Sequence, residues 1–283
     1  MTLLVSAPAS TANVGSGFDC VAVALDLRNE VELEPGDGAV EIEGEGADEL
    51  PRDDSHLALR AFSLFADPGA FKFRFTNRIP LERGLGSSAA AIAVGLAAGQ
   101  AAAGKTLPVD ELVGLGAPLE GHADNLAAAL AGGVTLTSGG RVMRLADEAP
   151  GEPIALVPNS RVNTRESRSA LPATVPFEDA AYTSARAAYL GAALASGSPE
   201  LFAEALDDRL HEPYRAANAP LLAEVRGDPP PGALGATLSG SGPTVIVWAR
   251  PEAAVSVAAE LTRRHPDVEV MRLKVTPTGA GPV

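Results

Sequence analysis

The stretch Pro80-Leu-Glu-Arg-Gly-Leu-Gly-Ser-Ser-Ala-Ala-Ala91 places two glycines and two serines directly before a run rich in alanine. Alanine is the best helix former, so the run predicts a helix from about Ser87 to Ala103. Gly84 and Gly86 can adopt backbone conformations that are closed to other residues. Because the first N–H groups of a helix have no partner within it, a turn placed here can bind one anion.

The same stretch also fits the dinucleotide-binding pattern GxGxx[GA] over residues 84–89. That pattern needs the end of a buried strand before it, where this chain has Pro80, Glu82 and Arg83. It also needs an acidic ribose partner about 20 residues later, and none stands there. The sequence therefore favours a phosphate site without a dinucleotide fold. The hydroxyls of Ser87 and Ser88 can bind a phosphate oxygen or a magnesium ion.

A second glycine-rich string, residues 99–106, matches the Walker A pattern GxxxxGK[ST] letter for letter. In a Walker A loop the GK[ST] residues begin a helix that continues for several turns. Pro108 would lie inside that helix, where it has no N–H to donate. We therefore interpret Gly104 and Lys105 as the end of the alanine-rich helix, and a P-loop kinase stays as a rival fold.

Charge and composition exclude several classes of protein. The chain has 283 residues, 46% of them apolar, and a net charge of −14, which disfavours nucleic-acid and membrane-surface binding. One cysteine excludes an internal disulfide, and four histidines without an HExxH string disfavour a zinc hydrolase. The N-terminus lacks a signal-peptide pattern, and the apolar run 89–104 is too short to span a bilayer, so we expect a cytoplasmic protein.

Strand and helix patterns are mixed in both halves, which indicates an α+β fold in two packed layers. The composition shifts near Asp147–Pro153, so we predict one domain over residues 1–150 and another over 151–283. Within the first half we expect a strand from Thr2 to Ala7 that stops at Pro8. We also expect Ser55 to cap a helix that runs to about Ala66.

Three segments taken together resemble the signature segments of the GHMP small-molecule kinases: PASTANVGSGFD (8–19), PLERGLGSSAAA (80–91) and LSGSGPTV (238–245). Their order and spacing match over nearly the whole chain. Within that superfamily the chain most resembles the homoserine kinase family. The strings that carry this likeness are EGHADN (120–125), TRESRSALP (164–172) and EPYR (212–215).

The resemblance implies a two-domain architecture, with a ribosomal-protein-S5-like first domain, a ferredoxin-like second domain and ATP between them. It implies transfer of the γ-phosphoryl group of MgATP to the side-chain hydroxyl of L-homoserine, a step toward threonine. A homodimer is common in the family. Ser88 and Glu120 match the family's magnesium ligands. The implied nucleotide-binding residues are Pro80, Leu81, Arg83, Gly84, Leu85, Gly86, Ser87, Ser88, Ala89 and Ala90.

Homoserine is a zwitterion with one free hydroxyl, so its site needs a cation for the carboxylate and an anion for the ammonium. Arg168 and Arg215 can bind the carboxylate, although Arg215 could also be an ordinary surface arginine. Asp19 can pair with the ammonium. The substrate-binding residues that the resemblance implies are Asn13, Asp19, His122, Thr164, Arg168 and Arg215.

The resemblance also implies how the reaction proceeds. Mevalonate kinases place a catalytic aspartate in the region of Thr164, and this chain has no carboxylate at 164. We therefore predict no dedicated general base, with Asn125 aligning the hydroxyl and Glu120 and Ser88 holding the metal. His56 lies near a family asparagine that helps seat the adenine. Another GHMP kinase, of mevalonate or sugar type, and a non-catalytic GHMP-like metabolite-binding protein stay as alternatives.

Overall fold

The computed structural model describes residues 2–121, 123–162 and 164–283, without the side chains of residues 164–166 and 218. In chain order the strands are β1 (Leu3–Ala12), β2 (Val21–Pro35), β3 (Val40–Gly44), β4 (Phe71–Asn77), β5 (Val134–Ser138), β6 (Arg141–Ala146), β7 (Glu152–Val157), β8 (Ala233–Leu238), β9 (Val245–Ala249), β10 (Glu269–Arg272) and β11 (Gly281–Pro282). The helices are α1 (Leu57–Phe62), α2 (Ser87–Ala102), α3 (Val109–Glu120), α4 (Asp124–Ala131), α5 (Thr164–Ser169), α6 (Phe177–Ser196), α7 (Pro199–Ala205), α8 (Glu212–Arg215), α9 (Pro220–Gly227) and α10 (Ala254–Arg264).

The strands form two separate sheets. The first has the order β11-β1-β2-β4-β3, with β5 paired to the start of β2 and β6 paired to β5. The second is antiparallel throughout, in the order β10-β7-β9-β8. With helices between its first and second and its third and fourth strands, the second sheet has a ferredoxin-like topology. The α+β two-domain architecture that the sequence predicts is confirmed.

The change from one sheet to the other lies between Ala146 and Glu152, around the predicted boundary at residue 150, which stays a prediction. The end of the chain returns to the first sheet, because β11 pairs antiparallel with β1. Arg28 holds this return by donating to the carbonyls of Thr278 and Gly279 at 2.9 and 2.8 Å. No helix in the described ranges combines the length and apolarity that crossing a bilayer requires.

Helix α2 lies in the centre of the first half, as the alanine-rich sequence predicts, and ends one residue before the predicted Ala103. It is apolar on all sides, which is typical of a helix enclosed by other elements. Its small residues permit close packing: a Cβ added at Gly95 would lie 2.2 Å from the carbonyl oxygen of Ala58 in α1. This packing fixes the direction of α2, and therefore the place where its N-terminus points.

The prediction that Pro8 stops the first strand is wrong, because β1 continues to Ala12. The pairing with β2 shifts in register between Pro8 and Ala9. Proline is tolerated at such an irregularity, since no ladder hydrogen bond from its nitrogen is needed there. The extension matters for function, because the last residues of β1 reach the central cavity described below.

The predicted cap of α1 is also wrong, and the helix ends at Phe62 rather than Ala66. His56 caps it, with Nδ1 accepting from the backbone N–H of Ala58 at 3.2 Å, while the hydroxyl of Ser55 bonds Asp53. The His56 ring is 5% exposed and lies 4.7 Å from the ring of Phe75. Burial lowers the pKa of His56 to about 4.

This buried histidine makes stability depend on pH. A histidine whose pKa is lowered by folding stabilises the fold above its unfolded value of 6.5, and this contribution is lost as pH falls toward about 4. We expect the melting temperature to fall between pH 7 and pH 5, followed by circular dichroism. In His56→Asn, which keeps a capping acceptor and removes the titration, the fall should be smaller; an identical fall would contradict this assignment.

Candidate active site

A cavity of about 480 Å³ lies between the two halves of the chain, a size suited to a small-molecule ligand. Residues from both halves line it, so the site forms only when the two halves pack against each other. The lining residues are Ala12, Asn13, Asp19, Leu57, Glu82, Gly84, Gly86, Ser87, Ser88, Pro118, Leu119, Glu120, Gly121, Asp124, Asn125, Val162, Arg168, Arg215, Gly240 and Ser241.

Three glycine-rich segments meet at this cavity, namely the signature segments 8–19 (the first), 80–91 (the second) and 238–245 (the third). The hydroxyl of Ser239, in the third segment, donates to the carbonyl of Gly84 in the second at 2.6 Å. It also lies 2.9 Å from the hydroxyl of Thr11 in the first. A Cβ added at Gly84, where φ is +87°, would lie 2.4 Å from the carbonyl oxygen of Ser239. Glycine is therefore required here both by the backbone conformation and by the close approach.

The N-terminus of α2 opens into the cavity. Gly86 precedes the helix with φ of +69° and no side chain caps the first turn. The first backbone hydrogen bond into the helix runs from the N–H of Ala90 to the carbonyl of Gly86, at 2.9 Å. The earlier N–H groups are thus free of side-chain acceptors and face the cavity at the positive end of the helix dipole, which is a favourable place for an anion.

The predicted nucleotide-binding residues divide into two sets. Gly84, Gly86, Ser87 and Ser88 line the cavity. The other side chains do not line it: Leu85, Ala89 and Ala90 are fully buried in the hydrophobic core, and Pro80, Leu81 and Arg83 lie in the turn that leads to α2. A contact from this second set to a nucleotide would come from the backbone.

The Walker A string is not a nucleotide site. Its first glycine, Gly99, lies in the last part of α2, and Gly104 has φ of +62° just after the helix ends. Lys105 is exposed, and neither it nor Thr106 lines the cavity. Because the string ends a helix instead of beginning one, a P-loop kinase fold is excluded for this chain.

Two predicted substrate residues form an ion pair with each other. Arg168 donates through both terminal nitrogens to the carboxylate of Asp19, with Nη1 at 3.0 Å from Oδ1. The backbone N–H of Asp19 donates to Oδ1 of Asn13 at 3.1 Å, and the Asn13 amide donates to the carbonyl of Gly240 at 3.0 Å. Asn13 and Asp19 both have positive φ, +77° and +57°, so this loop is held in a conformation that non-glycine residues rarely adopt.

Arg215 is the third predicted substrate residue at the cavity, and it is buried, with 3% exposure, not a surface arginine. Its Nη1 donates to the carbonyl of Gly240 at 3.1 Å, and its Nε has no hydrogen-bond partner. Within the part of the chain that the structure describes, no carboxylate lies at ion-pair distance from it. Burial lowers the pKa of this guanidinium below its ordinary value. Arg215 thus lines the cavity with a buried guanidinium that keeps one donor, Nε, unused.

The predicted catalytic residues Ser88, Glu120 and Asn125 line the same cavity, from the ends of α2, α3 and α4. Asn125 accepts a hydrogen bond from the hydroxyl of Ser10 at 2.8 Å. His122 lies outside the described residues, as does the side chain of Thr164. His56, near the position that seats adenine in the family, does not line the cavity, whereas its neighbour Leu57 does.

Sequence reasoning missed two residues at the site. Asp124 lines the cavity and is almost fully buried, and it belongs to the string 120–125 that carries part of the family likeness. His211 contacts the guanidinium of Arg215 through Nδ1, and it directly precedes the string 212–215. The available signal was position in the sequence: Asp124 lies within a string that carries the family likeness, and His211 directly precedes another.

Serine and carboxylate oxygens are the ligands that magnesium prefers, and magnesium beside phosphates needs only one or two protein ligands. Ser88 and Glu120 supply one of each at the same cavity. The described residues contain no cluster of three or more histidine, cysteine or acidic side chains that could hold a metal without phosphate. The residues present fit an ion that arrives with a nucleotide.

Comparisons with known proteins identify the family of the chain. Residues 56–133 match the model of the GHMP kinases N terminal domain, and residues 191–267 match that of the GHMP kinases C terminal. The homoserine kinase of Carboxydothermus hydrogenoformans is 41% identical over 98% of this chain and 94% of the relative, and that of Moorella thermoacetica is 40% identical over 98% of each. A crystal structure of homoserine kinase from Cytophaga hutchinsonii superposes with a TM-score of 0.87 at 27% identity, covering 100% of this chain and 97% of the other. The chain therefore belongs to the homoserine kinase family of the GHMP kinases.

Proposed function

We propose that this chain transfers the γ-phosphoryl group of ATP to the side-chain hydroxyl of L-homoserine. The observation that carries the choice of substrate is Arg215, a buried guanidinium at the cavity with an unused Nε donor and no carboxylate partner in the described ranges. A buried cation of this kind is stabilised by an anionic ligand. Mevalonate also carries a carboxylate, whereas sugars do not, so the second ionic group of the substrate must decide between the acids.

The second ionic group is recognised by the pair Asp19–Arg168. The two side chains neutralise each other, and their exposed position makes the pair weak. A zwitterion can replace it, with its ammonium at Asp19 and its carboxylate between Arg168 and Arg215, without leaving either charge unpaired. Mevalonate has no ammonium and would leave Asp19 without a cation. This exchange favours an amino acid over a hydroxy acid.

The phosphates of ATP bind at the N-terminus of α2, where the N–H groups that follow Gly86 and the hydroxyls of Ser87 and Ser88 converge. Ser88 and Glu120 would hold the magnesium ion. When bound, that ion neutralises phosphate charge during the transfer. The chain's net charge of −14 makes these local groups necessary, because the summed field repels a nucleotide.

The transfer itself requires mostly positioning. The hydroxyl oxygen of homoserine forms a bond to the γ-phosphorus, the bond from that phosphorus to the β–γ bridging oxygen breaks, and ADP leaves. Asn125 aligns the attacking hydroxyl, and Ser10 fixes the Asn125 amide by donating to Oδ1. Through that contact Asn125 keeps its amide N–H groups for the substrate. The hydroxyl proton goes to a phosphate oxygen or to solvent.

The experiment that tests this function is a coupled ADP-release assay with homoserine, mevalonate, galactose and shikimate as acceptors. We expect release only with homoserine. Release with mevalonate or galactose instead would assign another GHMP specificity. ATP binding without release on any acceptor would assign a non-catalytic metabolite-binding protein.

Asn125→Ala tests the alignment step. We expect kcat to fall by roughly tenfold to a hundredfold, since the substrate hydroxyl loses its hydrogen-bond partner, while the KM for ATP changes by less than about threefold. Steady-state kinetics in both substrates give the two values. Lys105→Ala, in the discarded Walker A string, is the control and should leave both unchanged. Equal losses in kcat and in ATP affinity would contradict this role of Asn125.

The predicted cytoplasmic location stays a prediction, as does a homodimer. Light scattering coupled to size exclusion measures the oligomeric state directly, and a mass of about one chain, 28.8 kDa, would contradict the dimer.

A further inference from the structure

A fully buried histidine links Arg215 to the first glycine-rich segment. His211 has no exposed surface, and its ring stacks on Phe18 with the centroids 4.7 Å apart. Its Nε2 lies 3.1 Å from the carbonyl oxygen of Gly15, and its Nδ1 lies 3.2 Å from Nη1 of Arg215. The mechanism described above does not use this residue.

The two contacts require one protonation state. The Gly15 carbonyl only accepts and the Arg215 guanidinium only donates, so Nε2 must carry the proton and Nδ1 must be bare. The other neutral tautomer would place a donor against a donor at Arg215 and two acceptors against each other at Gly15. A charged ring would also oppose Arg215. The geometry therefore holds His211 neutral, in the Nε2–H form.

The charged groups around the ring agree with this state. Asp208 lies 3.6 Å from Nε2, but its carboxylate accepts the backbone N–H groups of Leu210, His211 and Glu212 at 2.9, 2.7 and 3.0 Å. Arg215 faces Nδ1, and Asp19 follows Phe18 in the chain. Burial is the main cause that lowers the pKa of His211 to about 4, against the opposing charge of Asp208.

We propose that His211 is a positioning residue for substrate binding: it accepts a hydrogen bond from Arg215 and fixes the guanidinium toward the substrate carboxylate. The ring is itself fixed by Gly15, so it connects the segment 8–19 to the carboxylate-binding arginine. The carbonyl of Gly240 accepts hydrogen bonds from the same Arg215 nitrogen and from the Asn13 amide, which connects the segment 238–245 to Arg215 as well. This inference rests on the proposed function, because it names Arg215 as a substrate contact.

Two variants separate the two ring contacts. In His211→Asn the amide oxygen takes the place of Nδ1 and can still accept from Arg215, whereas the contact to Gly15 is lost. In His211→Gln the amide nitrogen can reach the Gly15 carbonyl, and the acceptor for Arg215 is lost. Both variants lose the stacking on Phe18, so their melting temperatures should fall by similar amounts.

We expect the KM for homoserine to rise about tenfold or more in His211→Gln and less than about threefold in His211→Asn. The KM for ATP should stay within about twofold in both. Equal changes in the homoserine KM of the two variants, or a parallel rise in the ATP KM, would overturn the proposal, because a merely structural histidine would act in that way.

A measurement on the unaltered protein keeps the proposal testable if the variants do not fold. Long-range ¹⁵N correlation spectra of the labelled chain, with its four histidines, report the tautomer of each ring. The variant His56→Asn identifies the other buried signal. We expect a neutral Nε2–H ring for His211 down to about pH 5. A proton on Nδ1 would overturn the proposal.

The experiments distinguish a failure of the proposed function from a failure of the role proposed for His211. If the wild-type chain releases no ADP with homoserine, the proposed function fails, whatever the variants do. If the wild-type chain is active and the two variants behave alike, only the role of His211 fails.

Discussion

Replacing Arg215 with methionine is expected to lower kcat/KM for homoserine by about a hundredfold to a thousandfold. The guanidinium is buried in the wall of the cavity and has no carboxylate partner in the described ranges, so we expect it to bind the substrate carboxylate away from water. Removing one partner of a buried ion pair costs about 3–5 kcal/mol, and the lower half of that range corresponds to this loss. Initial rates at saturating ATP and varied homoserine measure it.

The matched control is Arg272→Met, the same change at a half-exposed arginine that pairs with Glu152 outside the cavity. It should change kcat/KM by less than about twofold. A second readout uses 3-aminopropan-1-ol, which keeps the ammonium and hydroxyl of homoserine and lacks the carboxylate. The wild-type preference for homoserine over this amine should largely disappear in Arg215→Met. A preserved preference would show that the carboxylate is recognised elsewhere.

Gly84→Ala is expected to lower activity by more than about a hundredfold, because the phosphate-binding turn can no longer pack against the third glycine-rich segment. The added Cβ would lie 2.4 Å from the carbonyl oxygen of Ser239 and 3.0 Å from that of Gly242. These are backbone atoms, which cannot rotate away. The turn must move, and the start of α2 moves with it; a displacement of about 1 Å in an active site can cost about 10²-fold in rate.

Gly104→Ala is the control for backbone strain. Gly104 also has positive φ, +62°, but nothing lies within 4 Å of an added Cβ. Both variants carry the left-handed penalty of about 1–2 kcal/mol, and only Gly84→Ala adds an overpacking cost of about 1–3 kcal/mol. Urea unfolding measures the difference in stability and the ADP-release assay measures the activity. Equal behaviour of the two variants would contradict the close approach seen at Gly84.

Local pattern was sufficient where one residue type dominates. The alanine run 87–103 gave α2 to within one residue, because helix propensity and the flanking glycines agree. The pattern also identified the false Walker A string, since Pro108 is incompatible with a helix that starts at Lys105. It failed at Pro8 and at Ser55. At Pro8 the pairing with β2, which shifts in register there, lets the strand continue. At Ser55 the neighbouring His56 provides the capping nitrogen instead.

The sequence by itself determined which segments carry the chemistry: three glycine-rich strings in a fixed order, and the charges of Asp19, Arg168 and Arg215. Only the tertiary structure decided how those charges are used. It pairs Asp19 with Arg168 and leaves Arg215 buried without a carboxylate partner in the described ranges. It also places the His211 ring in contact with the Arg215 guanidinium. The physical reason is that burial and hydrogen-bond partners depend on residues far apart in the chain, such as Gly15 and His211, which no local pattern brings together.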